Sequence, residues 1–253
     1  MANGAGMEII FLGTNGWYDT GTANTLCVLL KTRKYDIVLD AGNGFSKLNK
    51  YVDGTKPVYL FLSHFHLDHI VGLHTLLKFD LEKGLKICGG AGARRVLASL
   101  LRRPFTVPLK DLRYKTEVLE LPSQTGKVPF NCSCLPLQHS GPVLGYRFEI
   151  DGRTIAFCTD TGYCENSVKL AGKADLLVSE CSFLRGNGHP GWSHMNPRTA
   201  AALAREAGAG KLALVHFDPA TYPELSDRKK AAALARRTFK NTFAARDGMR
   251  IKL

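Results

Sequence analysis

Five apolar runs in this chain each lead, at their last residue or just beyond it, to an acid or a histidine. Val58-Tyr59-Leu60-Phe61-Leu62 is followed by Ser63-His64-Phe65-His66-Leu67-Asp68-His69. The run 132–137 leads to Gln138-His139, and the run 153–158 to Thr159-Asp160. The run 174–179 ends on Glu180, and the run 211–215 on His216. Short apolar runs bounded by turn residues read as buried strands. In mixed α/β folds, sites are assembled where strands end. The fold class is therefore read as α/β, with its chemistry at the strand exits.

The segment 63–69 is the densest of these exits. His64 and His66 are two apart, so an extended backbone projects both to one side. Asp68 and His69 are adjacent and diverge. This suggests two metal positions side by side, with His64 and His66 on one and Asp68 and His69 on the other. Neutral imidazoles and a carboxylate suit zinc, and also manganese or iron. Adding the other strand ends, His64, His66 and His139 make one three-histidine site, and Asp68, His69 and His216 a second. Asp160 has two oxygens and can bridge them. Such a donor set leaves coordination positions for water, which is the catalytic arrangement. Two ions about 3.5–4 Å apart hold a bridging hydroxide and polarise a substrate oxygen. Asp40, closing the run 35–39, is expected to accept from the second ring nitrogen of a metal-binding histidine. His74 reads as an ordinary helix residue near the site.

Length and composition set the frame. A chain of 253 residues with 45% hydrophobic and 22% charged residues suits one soluble globular domain spanning 1–253. No run approaches eighteen apolar residues, so no membrane span is expected. Residues 1–6 lack a basic region followed by an apolar one, so no signal peptide is expected. Seven cysteines, an odd number scattered over apolar runs, read as small buried hydrophobes in a reducing compartment, with the cytoplasm as the expected location. The net charge of +12 suits a polyanionic partner. The basic residues come in scattered pairs such as Arg94-Arg95 and Arg102-Arg103, without interleaved aromatics. A solvated basic surface accounts for them equally well, and a nucleic-acid partner stays open.

The remaining elements follow from periodicity and turn signals. Strands are expected at 7–13, 25–30, 35–42 and 85–90, and a hairpin pairs 144–150 with 153–158 across Asp151-Gly152. Helical spacing runs over 70–79, 91–101 and 197–207. A basic amphipathic helix is expected over 226–245, followed by one short strand. The segment 102–115 reads as irregular.

Taken in order, His64-x-His66-x-Asp68-His69, His139, Asp160 and His216 resemble the metallo-β-lactamase superfamily. The resemblance implies an αββα sandwich, two mixed sheets with helices outside, and two divalent ions, zinc foremost. The branch narrows further. Trp192-Ser193-His194-Met195-Asn196-Pro197 before an alanine-rich helix, and Leu176 to Phe183, are similar to the tRNase Z-like branch. There, a histidine matching His194, paired with a glutamate matching Glu180, steadies the scissile phosphate and helps the leaving oxygen depart. Elementary chemistry agrees, because an alkoxide needs a proton and a carboxylate-held imidazolium can give one. Asp68, His194 and Glu180 are the residues expected to carry catalysis. His189, in the glycine-rich loop 186–191, reads as a loop residue near substrate.

One departure redirects the substrate. tRNase Z enzymes insert a tRNA-gripping arm between the residues matching His139 and Asp160, whereas here Asp160 follows His139 by only 21 positions. The short gap resembles small phosphodiesterases of the branch, such as the cyclic-phosphate diesterase of phosphonate catabolism. The implied activity is hydrolysis of small or cyclic phosphodiesters or nucleic-acid ends, with a homodimer by analogy. Carboxyl-type hydrolysis of a lactone or thioester is the competing activity on the same metals. A redox di-iron centre and a non-catalytic nucleic-acid binder are further alternatives; the first lacks a flavin domain, and the second is at odds with an intact ligand set.

Overall fold

The computed structural model describes residues 6–186 and 193–253. Two mixed sheets face one another. In the first, β1 (Glu8–Gly13), β2 (Cys27–Lys31), β3 (Asp36–Leu39), β4 (Val58–Phe61), β5 (Leu85–Gly89) and β6 (Thr116–Glu120) lie in sequence order. The second contains β7 (Asn131–Leu137), β8 (Val143–Ile150), β9 (Arg153–Cys158), β10 (Leu176–Glu180), β11 (Leu212–Val215) and β12 (Thr242–Ala244), again in order. The last strand, β13 (Arg250–Lys252), returns to flank β1. Strands β3 to β6 run parallel, as do β9 to β12. The carboxyl ends of each parallel set therefore lie along one edge.

Side-chain alternation builds the layers. Ile9 and Phe11 belong to the core between the sheets, while Ile10 and Leu12 belong to the core on the outer face of the first sheet. This is the two-residue period of a strand buried on both faces. Helix α2 (Ala93–Leu100) covers that outer face through Leu97. Helices α3 (Glu165–Ala171), α4 (Pro197–Glu206) and α5 (Leu225–Arg236) cover the second sheet through small residues such as Ala200, Ala204 and Ala231. The outcome is the α/β sandwich of two mixed sheets with flanking helices. Phe61, at the end of β4, packs edge-on against Tyr146 at 5.2 Å and Phe148 at 4.9 Å, joining the two sheets beneath the site. Each such aromatic pair contributes about 0.5–1.5 kcal/mol beyond its buried area. The Tyr146 hydroxyl donates to Leu62 O at 2.7 Å, and Leu144 N–H to Ser63 O at 2.9 Å. The exit of β4 is thus fastened to the opposite sheet.

Three expectations change. The helix expected over 70–79 is a single turn, α1 (Leu67–Ile70), continued as a 3-10 helix over Val71–Lys78. Gly72 explains the tight packing there, since a Cβ would lie 2.2 Å from Gly42 O. The tail helix stops at Arg236, and Thr242–Ala244 forms β12 instead, because pairing with β11 outweighs local helix preference. Strand β6 was not anticipated: only Val118 and Leu119 are apolar within it, too few to show alternation. All seven cysteines are free thiols, five of them buried. Among the described residues no helix is long and apolar enough to cross a membrane.

Candidate metal centre

The site lies between the carboxyl ends of the two parallel strand sets. In the first sheet, Leu39 and Phe61 are register partners, so Asp40 and the segment 63–69 emerge together. In the second, Ser179 pairs with Cys158 and Glu180 with Val215, so Asp160, Glu180 and His216 emerge side by side. Three of these strand ends turn through the left-handed backbone region: Asp40 at φ 57°, Asp160 at 49° and His216 at 53°. Non-glycine residues seldom adopt it, and such strain gathers where function requires it.

The seven expected ligands come together in the expected groups. Donor atoms of His64, His66, His139 and Asp160 lie within 4.8 Å of one another, as do those of Asp68, His69 and His216. Asp160, His194 and His216 form a third such group, which puts His194 at the rim of the cluster. Asp68 Oδ2 is 3.3 Å from His69 Nε2 and 3.4 Å from His216 Nε2. Asp160 reaches the same two nitrogens at 3.2 and 3.3 Å, and lies 3.9 Å from His64 Nε2. Asp68 and His69 share the first turn of α1, and their side chains converge on these common partners, although adjacency suggested divergence.

The outward ring nitrogens of three of these histidines are held by the protein itself. His69 Nδ1–H donates to Asp40 Oδ2 at 2.7 Å, the acceptor role expected of Asp40. Ser63 donates both N–H and Oγ–H to Asp40, so its oxygen is left to accept from His64 Nδ1–H at 3.0 Å. Ser182 Oγ–H donates to Glu180 Oε2 at 2.9 Å and its oxygen accepts from His216 Nδ1–H at 2.9 Å. With Nδ1 carrying the proton, each Nε2 presents a lone pair to the centre. His69 Nε2 and His216 Nε2 stand 3.2 Å apart, and His64 Nε2 is buried without a hydrogen-bond partner. Lone pairs facing each other beside two carboxylates repel unless a cation lies among them. The donor set thus fits divalent metal ions.

Charge at the centre follows from the same crowding. Burial, then neighbouring His69, pulls the His64 pKa down to about 2, so that ring is neutral. Burial would raise Asp68, but His69 and His216 outweigh it and hold the carboxyl well below its usual range. Burial would lower His69, yet Asp160, Asp68 and Asp40 together lift it well above its ordinary value. Three carboxylates around one ring thus call for positive charge at Nε2, a proton or a metal ion in place of the bare lone pair.

Beside the cluster stands the second pair. Glu180 is fully buried and accepts from His194 Nδ1–H at 2.9 Å, Ser182 Oγ–H at 2.9 Å and Met195 N–H at 3.1 Å. Burial lowers the His194 pKa, but the charge and hydrogen bond of Glu180 prevail and raise it to about 9. The pair stands at the edge of the cluster, the His194 ring 5.0 Å from that of His139. Asn196, two residues on, caps α4 by accepting from Arg198 and Thr199 N–H. That fixes the chain that carries His194. A cavity of about 630 Å³ opens over these groups, with His66, Asp68, Asp160, His194 and His216 among its lining residues. His189 lies outside the described residues. His74 sits in the 3-10 helix, its Nδ1 bonded to Val71 O at 2.7 Å. Sequence reasoning missed Ser182 and Ser63 as the links between carboxylates and imidazoles. Their only sequence signal is position, each within two residues of a strand end that carries a functional group.

Residues 35–217 match the family described as the β-lactamase superfamily domain. The chain belongs to that superfamily, in its metallo-β-lactamase fold. It is 30% identical over 228 residues to the probable metallo-hydrolase YhfI of Bacillus subtilis, covering 83% of this chain and 87% of the relative. The crystal structure of YhfI superposes with a TM-score of 0.79 at 24% identity, over 98% of this chain and 99% of that one. Ribonuclease Z of Acaryochloris marina is 28% identical over 281 aligned positions, covering 86% of this chain and 88% of the relative.

Proposed function

We propose that this chain is a metal-dependent hydrolase that cleaves phosphodiesters, small or cyclic ones or the ends of nucleic acids. The observation that carries the reading is the buried Glu180–His194 pair, held at 2.9 Å beside the His/Asp cluster. His64, His66 and His139 would hold one divalent ion and Asp68, His69 and His216 the other, with Asp160 between them. Zinc suits these donors best, and manganese or iron would also be accepted. Bound there, the ions supply an activated water and offset charge on the phosphoryl oxygens.

The chain's own groups do the rest. His194 gives its Nε2 proton to the departing alkoxide, and Glu180 holds the ring in place and keeps it cationic until that step. Asp68 and Asp160 keep the centre anionic, so a phosphodiester approaches only when cations offset them. A carboxyl ester or lactone, whose leaving group departs more readily, has less need of such a buried acid. Relatives named ribonuclease Z bring nucleic-acid ends within the substrate class, and the short link between His139 and Asp160 favours substrates gripped without an arm.

The test is hydrolysis of bis(p-nitrophenyl) phosphate by protein stripped and reconstituted with zinc or manganese, beside His194→Ala and Asp68→Ala. Metal-dependent turnover is expected, lost in Asp68→Ala with its metal, whereas His194→Ala keeps the metal and should lose far more activity on a diester with an alkoxide leaving group than on this aryl ester. Turnover of lactones or thioesters without phosphodiester cleavage by the loaded protein would overturn the reading.

A further inference from the structure

Trp17 is 73% exposed, and an aromatic side chain of that size left in water calls for an explanation. Its position is imposed by the metal cluster. The Trp17 N–H donates to Asp68 Oδ2 at 2.7 Å, and the residue sits at φ 60°, a region bulky residues avoid. The preceding Gly16 lies so close to the His216 imidazole that a Cβ would come within 2.5 Å of the ring. The loop is also rigid. The Asn15 amide donates to Tyr18 O, Thr20 Oγ1 and Ala23 O, and its carbonyl accepts from buried Arg228. Tyr18 packs edge-on against the indole at 5.3 Å. A strained, well-tethered loop therefore seats itself on two of the metal-site residues and carries an indole to the mouth of the cavity.

That cavity has two kinds of surface. Its floor is polar and able to take a phosphoryl group with its cations, while Trp17, Leu67, Phe183 and Ala220 line it as apolar wall. Leu67 is itself 66% exposed. The volume of about 630 Å³ falls in the ~300–1,000 Å³ range of small-molecule sites. A dialkyl phosphate would use the floor and leave the indole in water. A phosphodiester that also carries a flat, π-faced group uses both.

We propose that Trp17 is a stacking platform for the base of a nucleoside phosphodiester, so that the substrate is a nucleotide ester and not an alkyl one. This rests on the phosphodiesterase reading and narrows it. Stacking on an aromatic side chain tolerates any base, because every base has a π-face. Discrimination among bases is therefore weak, whereas discrimination between nucleoside and alkyl esters is strong.

Two measurements test it. The first compares thymidine 5′-(p-nitrophenyl) phosphate with methyl p-nitrophenyl phosphate, which share a leaving group. Trp17→Ala is expected to lower the ratio of their kcat/KM values about tenfold, through KM of the thymidine ester, with Trp17→Phe restoring most of it. An unchanged ratio overturns the proposal. The second is independent of turnover. The chain has two tryptophans, so Trp192→Phe leaves Trp17 as the sole indole. In zinc-loaded protein, adenosine 5′-monophosphate is expected to quench its emission saturably, and methyl phosphate is not. Equal effects of both ligands, or none, overturn the platform. If neither ester is hydrolysed, the phosphodiesterase reading fails, while the quench still decides whether a base sits on Trp17.

Discussion

The Asp40 carboxylate meets the His69 imidazole at 2.7 Å, with both side chains fully withdrawn from solvent. The same carboxylate also takes the N–H and the hydroxyl of Ser63, which in turn orients His64. One carboxylate therefore sets the ring direction of a histidine in each of two neighbouring His/Asp groups.

Asp40→Asn is the clean probe of that control, since asparagine tolerates the φ of 57° and keeps the volume. It exchanges one acceptor oxygen for a donor, so either His69 or Ser63 loses its partner. Loss of such an outer partner weakens metal binding about 10- to 100-fold. Competition against a chromogenic chelator measures this directly, and an unaltered affinity would remove Asp40 from the centre.

Gly16→Ala should act from the other side. Its Cβ would stand 2.5 Å from His216 Cε1 and 2.7 Å from Nδ1, and His216 cannot yield without breaking its bond to Ser182. Overpacking of this kind costs about 1–3 kcal/mol. The expected variant is folded, melts earlier and holds less metal. Full metal content with an unshifted melting curve would contradict the geometry.

Glu180→Gln tests the proton donor. A general acid works only while protonated, so activity falls as pH rises through the His194 pKa. The carboxylate raises that pKa to about 9 against the opposing effect of burial. Removing its charge lowers the pKa, and the alkaline limb of the kcat/KM profile should move to lower pH. On a diester with an alkoxide leaving group, His194→Ala should cost about 10²- to 10⁴-fold in kcat with the metal content of the parent protein. Loss of metal on that substitution would make His194 a ligand, the alternative its grouping with Asp160 and His216 permits.

Stripping the metal should loosen the fold as well as silence it. A ligand present at about 100 times its Kd stabilises by about 2.7 kcal/mol, which for a chain of this size is about 5–10 °C in melting temperature. Thermal melts with and without chelator give the answer. Coincident curves would mean that the facing His69 and His216 nitrogens need no cation.

How much of this was legible in the sequence divides along a physical line. The strands that end in His64, Asp160, Glu180 and His216 are buried on both faces and read as plain apolar runs, and their terminal residues carry chemistry too dense to overlook. Asp40 was legible for the same reason. Strands β6 and β12 were not, because each is short and lies at or near a sheet edge where only partial burial is needed, so alternation is weak. The overextended tail helix failed where pairing of Thr242–Ala244 with β11 outweighs a local preference. The roles of Ser182 and Trp17 were not legible for another reason. A serine or an exposed tryptophan has no periodicity, and its meaning comes only from what the fold sets 3 Å away.

The left-handed turns at Asp40, Asp160 and His216 carry one last implication, for how such a protein evolves. At each of them a glycine would relax the backbone while deleting a carboxylate or an imidazole the centre depends on. Selection for heat tolerance alone, with activity unscreened, would therefore find early gains at the residues the chemistry most requires. At these three positions backbone comfort and the metal centre pull in opposite directions.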